Sequence, residues 1–235
     1  MAAQDTLIAS NLAEIRERIA RSAARSGRVA EDITLVAVSK TFPSEAIRAA
    51  YELGLRDFGE NRVQEWESKR ASLSDLDATW HLIGHLQSNK ARRAANLFNR
   101  VDSVDSVALA QKLDAAAASE AAQVRVLIEV HLGGEENKSG VPEADLPALA
   151  ESVAQLQNLE LLGLMAIPPY FDEPKRVRPY FRRLRELRDQ IGAQFKLPLN
   201  VLSMGMSHDF EIAIEEGATE IRVGTALFGQ RSKKL

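Results

Sequence analysis

The chain alternates between two hydrophobic rhythms. Short runs of branched apolar residues are each followed by a polar or glycine-rich turn, then by a stretch with an apolar residue at every third or fourth position. The runs predict buried strands and the stretches amphipathic helices. Residues 7–25 form the first expected helix, with Ile8, Leu12, Ile15 and Ile19 on one face and Gly27 as its stop. A strand starting at Ile33 follows and carries Lys40 where it should end, before Pro43. Helices are then expected over 44–53 (with Ser44 as cap), 62–73, 89–98, 107–122, 142–157, 174–195 and 209–216. Strands are expected over 56–58, 79–86, 100–103, 124–130, 159–167, 201–204 and 220–223. About eight strands alternating with helices predict one (β/α)8 TIM barrel over residues 1–235, with an extra N-terminal helix. The eighth helix is stunted, so the N-terminal helix is expected to cover that part of the wall. A doubly wound open sheet is the alternative.

Composition narrows the function classes. The 235 residues are 45% hydrophobic, enough for a core of barrel size, and the formal net charge of -3 draws the chain to neither nucleic acid nor membrane. There is no cysteine, so disulfides, thiolate metal sites and a cysteine nucleophile are excluded. No signal-peptide pattern and no bilayer-length apolar run is present, and a cytoplasmic protein is expected. No strongly apolar exposed helix face stands out, so a monomer is expected.

In a TIM barrel the working residues lie at the carboxyl ends of the strands. Those ends supply Lys40, Asn61, His81, Ser103, His131, Met165, Ser203 with Ser207, and Arg222 with Thr225. A lysine at the end of a buried strand is partly desolvated, which frees its amine for Schiff-base chemistry with an aldehyde. The plainer alternative is a rim lysine that snorkels into water. The last two strand ends often hold a phosphate on backbone N–H groups. Ser203-Met-Gly-Met-Ser207 and Arg222-Val-Gly224-Thr225 offer three hydroxyls and two glycines there, with Asp209 as a candidate helix cap. A Schiff-base lysine and a phosphate cup in one barrel suggest pyridoxal 5′-phosphate. Arg222 is the candidate partner of its ring nitrogen. An arginine only donates, and so weakens the ring as an electron sink. The alternative for Arg222 is a salt bridge with Glu220.

His81 and His85 are too far apart along a strand to share one metal ion, and the sequence places no carboxylate to complete such a site. His81 is either a cofactor neighbour or a satisfied core histidine. Trp80 points away from it and is expected to pack. Met165, Met204 and Met206 also read as core filler. The arginines of 176–188 read as a solvated face, and the basic tail (Arg231, Lys233, Lys234) as a frayed end.

Several longer motifs occur in order: Leu-Val-Ala-Val-Ser-Lys-Thr around Lys40, Phe58-Gly-Glu-Asn-Arg-Val-Gln-Glu65 and Trp80-His-Leu-Ile-Gly-His-Leu-Gln-Ser-Asn-Lys90. Gly163-Leu-Met-Ala-Ile-Pro168, Leu202-Ser-Met-Gly-Met-Ser207 and Ile221-Arg-Val-Gly-Thr-Ala-Leu-Phe-Gly229 complete the set. With these the chain resembles the YggS/PROSC family of pyridoxal phosphate homeostasis proteins, related in fold to the N-terminal barrel of bacterial alanine racemase. The resemblance implies a single barrel holding pyridoxal phosphate as an internal aldimine on Lys40. It implies that Ser203, Ser207, Gly224 and Thr225 serve the phosphate, that Arg222 meets the pyridine nitrogen, and that Asn61 and His81 line the pocket. His131 stands where the family usually has asparagine, and His208 is also unusual. Lys138 is a candidate second, transient cofactor lysine.

The resulting expectation is a protein that holds pyridoxal phosphate reversibly in cofactor and amino-acid homeostasis, with apo forms of pyridoxal phosphate-dependent enzymes as candidate recipients. The alternative is a weak pyridoxal phosphate-dependent amino-acid racemase using Lys40 as base. Against it stand the end of the chain after the barrel, which leaves no second domain to supply a catalytic tyrosine, and the arginine at the ring nitrogen. A third reading is a cofactor-free Schiff-base aldolase.

Overall fold

The computed structural model describes residues 2–133 and 139–230. Glu135 and Lys138 of the loop after the fifth strand, and the basic tail 231–235, lie outside the described residues. Nine parallel strands are present among them: β1 Thr34–Val38, β2 Asp57–Glu60, β3 Thr79–Leu82, β4 Arg100–Val104, β5 Val124–His131, β6 Val141–Pro142, β7 Leu159–Met165, β8 Val201–Met206 and β9 Glu220–Val223. Eight of them close a barrel in the order β4-β3-β2-β1-β9-β8-β7-β5, because β4 also pairs with β5. β6 pairs only with the end of β5, outside the ring. The expected TIM barrel is present, and the open sheet is set aside by the β4–β5 closure.

The helices are α1 Ala2–Arg25, α2 Ser44–Glu52, α3 Val63–Arg70, α4 Ala91–Leu97, α5 Val107–Ser119, α6 Leu146–Ala154, α7 Arg178–Phe195, α8 Phe210–Glu215 and α9 Thr225–Phe228. The last is one turn long, as the stunted pattern predicts. α1 compensates for it. Ile8, Leu12, Ile15 and Ile19 are all buried. Asn11 Nδ2 donates to Leu227 O at 2.9 Å, and Arg18 pairs with Glu211 at 2.9 Å. Both contacts tie α1 to the last two helices.

Four local expectations are corrected. The strand expected over 79–86 ends at Leu82, and His85 lies beyond it, exposed. The helix expected from 142 starts at Leu146, because Val141 and Pro142 extend along β5 first. Ser44 is inside α2 and Pro43 holds the cap position, which suits a residue with a fixed φ and no N–H to satisfy. The arginines of α7 are not simply solvated: Arg178 and Arg182 pair with Glu216, Arg178 also with Glu215, and Arg183 with Glu143.

Two features aim the functional end. At Gly163 a Cβ would lie 1.8 Å from Val201 O, so only glycine lets β7 approach β8 here. β8 then bulges against β9. Ser203 faces Glu220 but Met206 faces Arg222, so β8 fits one extra residue, with Gly205 at φ +92°. The bulge carries Ser207 across towards the end of β9. Trp80 packs as expected, stacked on Trp66 at 3.7 Å and on Phe58 at 5.2 Å.

Candidate functional site

Lys40 lies two residues past β1, half-buried at the carboxyl end of the barrel. Its Nζ donates to Asn61 Oδ1 at 3.4 Å, and Asn61 directly follows β2. The adjacent strands therefore bring together the two residues that the sequence places 21 positions apart. Gly84 backs this pair: a Cβ there would lie 2.4 Å from Asn61 O. A cleft of about 530 Å³ opens beside Asn61, lined also by Arg62, Gln64, His85, Gln87 and Lys90.

The ends of β8 and β9 form the second part. Ser207 Oγ accepts from the N–H groups of Gly224 and Ala226, each at 3.3 Å. Two backbone donors converging on one oxygen make a small anion-receiving nest, a chemistry that suits a phosphate oxygen. Gly224 also ties this nest to Lys40. A Cβ at Gly224 would lie 3.3 Å from Val38, the last residue of β1. Thr225 opens α9 and is exposed. Asp209 stands at the start of α8, but its carboxylate does not cap that helix. Oδ1 accepts from Met206 N–H at 2.6 Å and pins the bulged loop instead.

Ser203 does not join the nest. It is buried inside the barrel, and its Oγ accepts from Arg222 Nη1 at 2.6 Å, while Arg222 Nη2 donates to Ala166 O at 2.9 Å. Arg222 is thus fixed at two of its nitrogens and fully desolvated. Burial pulls its pKa below the ordinary value, against the attraction of Glu220, Asp102, Glu129 and Asp209. The alternative pairing with Glu220 is not made. Among the described residues no carboxylate lies within ion-pair distance of Arg222, and Glu220 pairs with Arg100. Met165 is buried at the end of β7, in register with Glu129 on β5 and Ser203 on β8.

Beneath Arg222 the barrel interior is charged. Arg100 donates to both oxygens of Asp102, at 2.6 and 2.9 Å, and to Glu220. His81 is held in the same layer. Its Nε2 lies 3.1 Å from Asp57, and its Nδ1 lies 3.4 Å from Asp102 without the alignment of a hydrogen bond. Burial disfavours the imidazolium, but Asp102 and Asp57 outweigh it and raise the His81 pKa above the ordinary value. The structure therefore seats His81 between buried Asp102 and partly exposed Asp57. His81, Asp102 and Glu220 do bring metal-ligand atoms within 4.8 Å of one another. This corrects the expectation that no carboxylate is placed to complete a site with one of the histidines. Arg100 already bonds both carboxylates, one cation shared between two acids.

His131 is half-buried at the end of β5. His208 is exposed, stacked on Tyr170 at 5.1 Å, with Nε2 3.1 Å from Phe171 O. His85 Nδ1 lies 3.2 Å from Asp105. Sequence reasoning missed Glu129, Arg100 and Asp102, and the group Ser39, Glu60, Glu65 and Lys69 behind Lys40. Arg100 and Asp102 carried a legible signal: two opposite charges at i and i+2 of a strand share one face.

The alanine racemase N-terminal domain family matches residues 10–232. A pyridoxal phosphate homeostasis protein of Aquifex aeolicus is 48% identical over 220 residues, spanning 94% of this chain and 96% of that one. The chain belongs to the pyridoxal phosphate homeostasis protein family. Its relative in Escherichia coli is 43% identical over 237 residues, spanning 97% of this chain and 99% of that one. Among solved structures, PipY of Synechococcus elongatus with pyridoxal phosphate bound has a TM-score of 0.85 and 43% identity, covering 94% of this chain and all (100%) of that one. An alanine racemase of Clostridium difficile is only 15% identical but has a TM-score of 0.77 over 97% of this chain and 58% of that one, a likeness of fold. No helix among the described residues is long and apolar enough to cross a membrane.

Proposed function

We propose that this protein binds pyridoxal 5′-phosphate through a Schiff base on Lys40 and serves pyridoxal phosphate homeostasis. The observation that carries the reading is the meeting of three features at one end of one barrel. Lys40 stands beside Asn61, Gly224 of the anion nest abuts the last residue of β1, and Arg222 lies buried on the strand between β1 and β8. The family and the PipY structure solved with this cofactor support it.

When bound, the cofactor supplies an aldehyde carbon and an electron-accepting ring. The chain supplies the rest. Lys40 would hold the cofactor through its side-chain amine. Asn61 accepts from that amine and orients it. The N–H groups of Gly224 and Ala226 and the hydroxyl of Ser207 hold the phosphate. Arg222, donor only, is the group for the ring nitrogen and supplies no proton there. Ser203 and Ala166 O hold Arg222 in place. Met165 borders the same strand ends. His81, two layers of contacts away through Asp102 and Arg100, contributes charge balance to the floor of the site.

An absorption spectrum with borohydride reduction and peptide mapping tests the reading. The wild-type protein with pyridoxal phosphate is expected to absorb in the visible range and to carry the reduced label on Lys40. Lys40→Ala is expected to lose that label entirely. A label that maps elsewhere, or none at all, defeats the Schiff-base assignment. Exchange of the α-hydrogen of alanine in deuterated water, measured on the same samples, separates a carrier from a slow racemase.

A further inference from the structure

The residue after Lys40 is in a backbone conformation that its side chain disfavours. Thr41 has φ +71°, in the left-handed region where a β-branched residue is a steric outlier. Strain of this kind persists only where the surroundings over-determine it. Here the surroundings are a compact ionic group on α3. Glu65 Oε1 accepts from Thr41 N–H, and the same oxygen accepts from Lys69 Nζ at 2.8 Å. Lys69 Nζ also donates to Ser39 O at 3.1 Å and to Glu60 Oε1 at 3.0 Å. Ser39 Oγ donates to Glu60 Oε1 at 2.7 Å. Both neighbours of Lys40 are therefore gripped, Ser39 by Lys69 and Glu60, and Thr41 by Glu65.

The grip is built in a dry place. The side chain of Lys69 is 11% exposed and that of Glu60 is fully buried, its Oε2 without a hydrogen-bond partner among the described residues. A buried lysine among two carboxylates and a carbonyl has lost its hydration and has one geometry to occupy. Burial acts to raise the Glu65 carboxyl, but Lys69 and the Thr41 N–H outweigh it and lower its pKa, so it stays ionised. Glu65 and Lys69 are one helical turn apart, so α3 presents both to the β1 exit as a unit.

We propose that Glu65 and Lys69 are positioning residues for Lys40, clamping the strained Ser39–Lys40–Thr41 backbone so that the amine is presented to the cofactor's aldehyde. This rests on the Lys40 reading above. Neither residue touches the cofactor in this scheme. They act through the peptide bonds on either side of Lys40.

The test is pyridoxal phosphate binding followed by the visible band, with thermal unfolding as the control for the fold. Glu65→Ala is expected to weaken binding about 10-fold, the scale of one charge-assisted hydrogen bond. Glu65→Gln, which keeps an acceptor, is expected to fall between. The decisive variant adds Thr41→Gly to Glu65→Ala. Glycine adopts positive φ without strain, so it removes the need for the clamp and is expected to recover at least about 3-fold of the loss. A loss through general stability alone would instead follow the thermal midpoint across the same variants. Wild-type binding by Glu65→Ala, or no recovery with Thr41→Gly, overturns the proposal. If Glu65→Ala does not fold, Glu65→Gln with and without Thr41→Gly gives the same comparison. Amide hydrogen exchange at Thr41, measured without cofactor, separates this proposal from the reading it rests on. If the wild type gives no Lys40 label, the cofactor reading falls by itself. The clamp then stands on exchange about 10-fold faster in Glu65→Ala, and falls if exchange is unchanged.

Discussion

Arg100→Met is expected to destabilise the protein by about 3–5 kcal/mol, lowering the thermal midpoint by roughly 10 °C for a chain of this size. The reason is the company that Arg100 keeps inside the barrel. It is 6% exposed and is the cation shared by Asp102, with no exposure, and Glu220, at 2%. Methionine fills a similar volume, so the cost comes from two uncompensated buried carboxylates rather than a cavity. The pH dependence distinguishes this from a packing defect. In the wild type, burial alone would raise the Asp102 carboxyl, but Arg100 and His81 hold it well below the usual range. A depressed folded-state pKa gives stability that is present above the unfolded value and is lost as pH falls through the folded one. Without Arg100 its share of that contribution is gone. The gap between wild type and variant should be widest at neutral pH and narrow on acidification below about pH 4, as the carboxylates take up protons. A gap constant with pH would assign the loss to packing. Glu220→Gln in the same chain should recover part of it.

Glu129→Gln is expected to do the opposite, stabilising the protein without cofactor on the alkaline side. Glu129 is 5% exposed on β5, and burial pushes its carboxyl up to about 7 in spite of Arg222, with Asp105 adding to the rise. An acid whose folded-state pKa is raised holds its proton after the unfolded chain has released its own. The unfolded state then binds fewer protons between the unfolded value, near 4.5, and about 7, so stability falls as pH rises through that window and levels off above it. At pH 8 the ionised, buried carboxylate costs on the order of 3 kcal/mol, and glutamine removes that cost. At pH 5 the two proteins should be nearly equal. His81, with its raised pKa, also loses stability as pH rises, but it does so in both proteins and cancels in the difference. Denaturant unfolding at the two pH values measures it. Equal stability at pH 8 would show that Arg222 neutralises Glu129 fully.

Both expectations concern residues that the linear pattern of the chain did not single out, while the rim of the site was legible in it. Lys40 was visible because a branched apolar run stops at a lysine and a proline. Ser207 and Gly224 were visible because turns with hydroxyls and glycines follow the last two strands. These signals are local: each needs only the residues on either side of it. The bulge in β8 was not visible, because it exists only as a mismatch of register between β8 and β9. Without the bulge Ser203 and Ser207 look equivalent; with it, one faces the barrel interior and Arg222, the other the nest.

The amino-acid sequence by itself determined the alternation of strands and helices, the stunted last helix with α1 as its cover, and the placing of Lys40, Asn61, Ser207, Gly224 and Arg222 at or beside strand ends. Periodicity and turn chemistry act over a few residues, so a single chain displays them directly. Only the tertiary structure decided which charge meets which. Glu220 went to Arg100 and not to the neighbouring Arg222, His81 settled between Asp57 and Asp102, and Lys69 and Glu65 came to grip the backbone on both sides of Lys40. Those pairings depend on closing β4 onto β5 and on laying α3 against the end of β1. Ion pairing is a matter of ångströms in space, and spacing along the chain does not fix it.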